Sequence, residues 1–188
     1  ACMLALAVKK PLKVVWTRED DMKGGFYRPL TFHRADIALD AKNHLASWKH
    51  SIVGQSVVGD SMFEAMLVHN GVDSTSVEGV ADSKYAIPNF QVELHLTKDA
   101  TPVLWWRSVG HTHTAYVMET LIDELAFRAK QDPLKYRREL LKNSSPRHLA
   151  VLDLLAKKSG WGKKKPAKGH AYGLAIHESF GSVVGHVV

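Results

Sequence analysis

The sequence predicts an α+β fold, and three observations carry that reading. Extended runs rich in β-branched residues gather in the first half of the chain. Three helices with clear start signals gather in the second half, before a closing strand. No βαβ alternation and no internal repeat joins the two kinds of element, so strands and helices are segregated.

Residues 2–8, "CMLALAV", read as the last turns of a helix that Lys9, Lys10 and Pro11 end. The basic pair suits the negative end of the helix dipole. "LKVVWTR", residues 12–18, follows as a buried strand. Between Leu30 and Gln55 two extended runs flank the polar turn "DAKNHL", which predicts a hairpin. Residues 56–89 have weak periodicity and scattered Gly, Asp and Ser, so they read as loop with one helix near Met62–His69. "FQVELHLT" alternates, with Val92, Leu94 and Leu96 on one face and Gln91, Glu93 and His95 on the other, the pattern of a half-buried strand.

The helical half is better marked. Ala115, Met118, Leu121, Ile122, Leu125 and Ala129 recur at helical spacing, and Glu124 precedes Arg128 by four residues in the favourable order. Asp132-Pro133 and Ser145-Pro146 each set a capping side chain ahead of a first-turn proline. Gly160 stops the last helix, and "YGLAIHES" is the last strand. A sub-boundary falls near residues 160–170.

With 188 residues, 45% of them hydrophobic and 23% charged, the chain can bury a full core. One cysteine, Cys2, excludes an internal disulfide framework and a cysteine-rich zinc site. The formal charge is +6, and Lys157, Lys158, Lys163, Lys164, Lys165 and Lys168 concentrate it. A non-catalytic domain that uses these lysines to hold an anionic partner is therefore the alternative to an enzyme. A solvated loop explains them more simply, because no nucleic-acid motif surrounds them and only Trp161 interrupts the run. The apolar start "ACMLALAV" is too short to span a bilayer, and both apolar ends suggest an excised piece of a longer protein.

Several chemistries lack their residues. His111 and His113 flank Thr112, but the other histidines are scattered singly, so they read as ordinary hydrogen-bonding groups and no metal site is expected. "FGSVVG" only faintly imitates a serine-nucleophile elbow. "GQSVVGD" has neither a phosphate-loop lysine nor dinucleotide glycine spacing. Glu178 in "HESFGS" reads as a hydrogen-bonded carboxylate, and no catalytic residue is assigned. Two arginine segments remain. In "TREDDMKGGFYRP" a Gly-Gly turn delivers Arg28. In "LWWRSVGHTHTAY" Arg107 sits in a loop that runs into the long helix, whose free N–H groups suit an anion or an oxo ligand. Stacking of Arg107 on a tryptophan is the competing reading.

The same segments carry a resemblance. "KVVWTREDDMKGGFYRP", "YAIPNFQVE", "WWRSVGHTHTAYVMETLIDELA", "DPLKYRRELL" and "HESFGSVV" resemble, in order and over nearly the whole chain, the molybdenum-binding large subunit of the xanthine oxidase/aldehyde oxidoreductase family. The branch of isoquinoline 1-oxidoreductase β subunits is most similar. The resemblance implies a hydroxylase that takes oxygen from water and oxidises aldehydes or N-heterocycles. Its cofactor would be molybdenum–molybdopterin, in the cytosine dinucleotide form, and its electrons would leave to a 2Fe–2S iron–sulfur subunit, with a cytochrome c as a further acceptor. Nucleic acid is not an expected partner. Relatives are often periplasmic or membrane-associated.

By the same resemblance, Trp106, Arg107, Ser108, Val109 and Gly110 are cofactor-binding and Arg28 is substrate-binding. The family's usual pattern at this loop is Phe-Arg-Gly-Phe-Gly. Here Ser108 replaces a glycine and Val109 an aromatic residue, which implies a pocket of different shape. The whole chain, residues 1–188, corresponds to part of the molybdopterin-binding region. The family's glycine-rich pterin loop belongs upstream of residue 1 and its base glutamate downstream of residue 188. The piece alone is therefore expected to carry no bound cofactor and to be inactive.

Overall fold

The computed structural model describes residues 1–163 and 166–188. The α+β expectation holds: small sheets dominate the first half, and the three long helices lie in the second.

Helix α1 (Cys2–Val8) ends on Lys9 in the left-handed conformation. Residues 12–16 are not the buried strand that their composition predicts: they pair with no strand among the described residues, and Val15 and Trp16 are exposed. The chain then enters a helix that the sequence reading did not foresee. Thr17 forms a reciprocal capping box with Asp20 and opens α2 (Arg18–Lys23).

The expected hairpin is present as β1 (Thr31–Leu39) and β2 (Leu45–Gly54). Asp40 builds its turn, with Oδ1 accepting the Lys42 and His44 amide N–H groups at 2.8 Å each. Residues 55–89 hold four short elements, α3 (Glu64–Leu67), β3 (Val68–His69), β4 (Val72–Asp73) and α4 (Ser74–Val77). The single helix expected over 62–69 is one turn that gives way to a strand. This excursion returns the chain to β5 (Phe90–Leu96) parallel to β2, from Trp48 beside Phe90 to Gly54 beside Leu96. The sheet order β1-β2-β5 makes β2 central, which is why its residues are more buried than those of β1.

Helix α5 (His111–Arg128) lays Met118, Ile122, Leu125 and Ala126 over Trp48, Ile52 and Val80, forming the main core. Asp132 and Ser145 cap α6 (Pro133–Leu141) and α7 (Pro146–Ser159) as predicted, and Gly160 ends α7 at φ 69°. The closing strand is in fact a hairpin. β6 (Leu174–Ser179) turns at Phe180 and Gly181, both at positive φ, into antiparallel β7 (Ser182–Val187). A second core of Leu134, Leu141, Leu152, Leu174 and Ile176 joins this hairpin to α6 and α7.

Glu119 ties these parts together. Its carboxylate accepts from Tyr85 Oη at 2.6 Å, from Arg137 Nε at 3.0 Å and from the Ile176 amide at 2.8 Å. Burial pushes the Glu119 carboxyl up against the opposing pull of Arg137. Burial also works against the Arg137 charge, but Glu119, Tyr85 and Asp123 together outweigh it and hold the guanidinium ionised. No helix among the described residues is long and apolar enough to cross a membrane.

Candidate cofactor-binding site

The two arginine segments singled out in the sequence are neighbours in space. Tyr27 forms a parallel bridge with Val103, its amide donating to Pro102 O at 2.9 Å while its carbonyl accepts from the Leu104 amide at 3.0 Å. The backbone before Arg28 therefore runs beside the approach to the Trp105–Gly110 loop.

That loop is bent by conformations its residues disfavour. Ser108 has φ 70° and Val109 φ 50°. For a β-branched residue the left-handed region is a steric outlier, costing about 1–3 kcal/mol and persisting only where the surroundings enforce it. Here the enforcing groups are visible. The Gly110 amide donates to Glu78 Oε1 at 2.8 Å, and Thr112 Oγ1 donates to the Arg107 carbonyl at 2.9 Å. The Gly110 backbone also lies so close to the Thr75 carbonyl oxygen that a Cβ would overlap it.

Behind Gly110 stands a buried hub. Asp73, fully buried, accepts from Ser56 Oγ at 2.6 Å, the Val57 amide at 2.8 Å, the Thr75 amide at 2.8 Å and Ser76 Oγ at 2.9 Å. Burial works to raise the Asp73 carboxyl, but the hydrogen bonds from Ser56, Thr75 and Ser76 outweigh it and hold it below its ordinary value. Asp73 thus fixes α4, α4 supplies the Thr75 carbonyl, and the next residue but two supplies the Glu78 carboxylate.

The N-terminus of α5 is accordingly not an open anion site. Glu78 occupies its first amide and lies 3.7 Å from His111 Nε2. Burial raises the Glu78 carboxyl, with His111 pulling the other way. The amides of Trp105, Trp106, Arg107 and Ser108 have no acceptor among the described residues. Trp106, Arg107 and Ser108 are exposed, Val109 is half-buried and Gly110 is buried. Trp105 packs edge-to-face on Phe63 at 5.4 Å. The loop presents a cation and a run of unpaired amides on a strained turn with a rigid back. Those groups fit the polar, anionic edge of a pterin cofactor.

His111 and His113 both fall in the first turn of α5. Two residues apart on a helix, they face different ways. His111 Nδ1 meets His177 Nε2 at 2.8 Å, whereas His113 Nδ1 meets His33 Nε2 at 2.9 Å. Among the described residues no group of His, Cys, Asp or Glu is placed to hold a metal. Arg28 is exposed on one side of an open cavity of about 630 Å³, whose other walls include Leu30, Phe32, His33, His113 and Tyr116. The sequence reading missed Asp73 and Glu78. "VDSTS" does carry a capping aspartate before a short polar run, while nothing local marks Glu78.

A strained arginine loop thus leads into a helix of the main core, and the neighbouring segment carries a second arginine at the rim of an open cavity. Residues 1–141 match the model of the molybdopterin cofactor-binding domain, and the chain belongs to that family. It is 31% identical over 88% of its length to a membrane-bound aldehyde dehydrogenase [pyrroloquinoline-quinone] of Gluconacetobacter polyoxogenes, covering 24% of that protein. It is 25% identical over 94% of its length to the isoquinoline 1-oxidoreductase β subunit of Brevundimonas diminuta, covering 22% of it. A nicotinate dehydrogenase subunit of Pseudomonas putida is 26% identical over 96% of this chain, which covers 16% of it. The chain therefore spans a quarter or less of the curated relatives it matches. The fold is shared with quinoline 2-oxidoreductase from Pseudomonas putida 86, at TM-score 0.68, 17% identity, and coverage of 94% of this chain and 25% of that one.

Proposed function

We propose that this chain is part of a longer molybdenum-dependent hydroxylase that oxidises aldehydes or N-heterocycles with oxygen from water and passes electrons to an iron–sulfur partner subunit. The strained 106–110 loop carries the reading. Two adjacent left-handed residues that are not glycine are costly, and a turn held that way from behind by Glu78 and Thr75 O is suited to touch a ligand in front. Trp106, Arg107, Ser108, Val109 and Gly110 would hold the cofactor, with the Arg107 guanidinium and the Arg107 and Ser108 amides as donors. When bound, the cofactor supplies the two-electron oxidation, in the cytosine dinucleotide form by family likeness. Arg28 would orient substrate in the adjoining cavity. The 188 residues alone would neither retain the cofactor nor turn over.

The test is oxidation by the full-length protein, co-expressed with its cofactor machinery, of an aldehyde and of isoquinoline in ¹⁸O-labelled water. The proposal expects molybdenum in the protein and label in the product. A preparation that needs pyrroloquinoline quinone and contains no molybdenum would overturn it, as would an unlabelled hydroxylation product from isoquinoline.

A further inference from the structure

Three histidines outside the candidate loop form one hydrogen-bonded chain with a fixed direction. Trp48 Nε1, which can only donate, meets His50 Nδ1 at 3.2 Å. His50 therefore accepts at Nδ1 and carries its proton on Nε2, which lies 2.9 Å from His33 Nδ1. The same argument puts the His33 proton on Nε2, which lies 2.9 Å from His113 Nδ1. The His113 proton is thereby forced onto Nε2. That atom is buried and has no hydrogen-bond partner among the described residues.

A chain that starts at an indole cannot conduct protons, since the indole has none to take up or pass on. It can only set polarity. All three rings are held neutral: His50 and His113 fall to about 4, first through burial and then through the neighbouring His33, with Arg28 adding to the effect on His113. Burial also lowers His33. A buried N–H without an acceptor costs about 1–3 kcal/mol, so a sequence that builds three rings and an indole behind it points to an acceptor arriving from elsewhere. The ring of His113 lines the cavity that Arg28 also lines, and Leu30 and Phe32 make that cavity partly apolar.

We infer that His113 Nε2–H is a ligand-recognition donor, its polarity locked by Trp48, His50 and His33, and that with Arg28 it receives the carboxylate of a small aromatic acid in this cavity. The cation calls for an anion, the N–H for an acceptor oxygen and the apolar wall for a ring. The inference rests on the reading of the Arg28 cavity as a substrate site.

Equilibrium binding of benzoate and of uncharged benzyl alcohol to the full-length protein at pH 7.5 tests it. His113→Phe keeps the ring volume and removes the donor. It should weaken benzoate about 10- to 100-fold, the range of a charge-assisted hydrogen bond, and leave benzyl alcohol within twofold. Trp48→Phe leaves the cavity wall intact and frees the chain to reverse. If half of the molecules reverse, benzoate should weaken about twofold. Equal losses for both probes, or unchanged benzoate affinity in His113→Phe while Arg28→Ala loses it, would overturn the His113 donor and leave the Arg28 cavity standing. No benzoate binding to the unaltered protein would overturn the cavity reading and this inference together.

Discussion

At the scale of single residues, the candidate loop trades backbone comfort for shape. Ser108 is exposed at φ 70°, so Ser108→Gly should raise stability by about 1 kcal/mol, read from urea unfolding midpoints. Gly110 has the opposite constraint: a Cβ there meets the Thr75 carbonyl oxygen and the Glu78 side chain. Gly110→Ala should cost about 1–3 kcal/mol by the same measurement, and an unchanged midpoint would show that the loop is not held as described. The histidines add a pH dependence. His50, His113 and His177 each fall to about 4 from an ordinary 6.5, with burial as the leading cause. A folded-state pKa below the unfolded one means that the unfolded chain binds more protons at intermediate pH. The stability is present above about 6.5 and is lost as pH falls toward 4. Urea unfolding at pH 7 and pH 5 should differ by at least about 2 kcal/mol, the contribution of one such group.

Between elements, Glu119 is the shared acceptor that joins α5 to α6 through Arg137 and to β6 through the Ile176 amide. Glu119→Ala leaves the fully buried Arg137 with Asp123 alone among carboxylates, at 2.5 Å from a half-exposed partner. Loss of one member of a buried pair costs about 3–5 kcal/mol, so this variant should unfold at markedly lower urea. How far the elements were legible in the sequence follows from where their information lies. The helices α5, α6 and α7 were readable because capping residues, prolines and apolar spacing are local signals. The β1–β2 hairpin was readable because "DAKNHL" is a turn. Residues 12–18 misled, since β-branched composition alone cannot say whether a partner strand exists. The Thr17–Asp20 box was the local clue overlooked. Asp73 left only the capping signal of "VDSTS", and Glu78 and the His33–His50–His113 chain left none, because their meaning lies in contacts between residues far apart in sequence. Arg28 and Arg107 were found through likeness to a family; their segments' adjacency emerged only with the Tyr27–Val103 bridge.

For the molecule as a whole, the exposed apolar side chains of the first thirty residues, among them Met3, Leu6, Val15, Trp16 and Phe26, support the proposal that further polypeptide covers this face. Lys157 and Lys158 lie in the last turn of α7, where cations suit the helix dipole, and Lys164 and Lys165 lie outside the described residues. The chain belongs to the molybdopterin cofactor-binding domain family, and the proposed function gives its Arg107 loop the task of holding that cofactor. The most direct measurement is molybdenum and pterin per polypeptide in the full-length protein and in its Arg107→Ala variant, both purified after co-expression with the cofactor machinery. The account predicts near one of each per chain in the unaltered protein and a clear loss in the variant at an unchanged unfolding midpoint. Equal cofactor content in both would contradict the role given to Arg107, and none in either would contradict cofactor binding altogether.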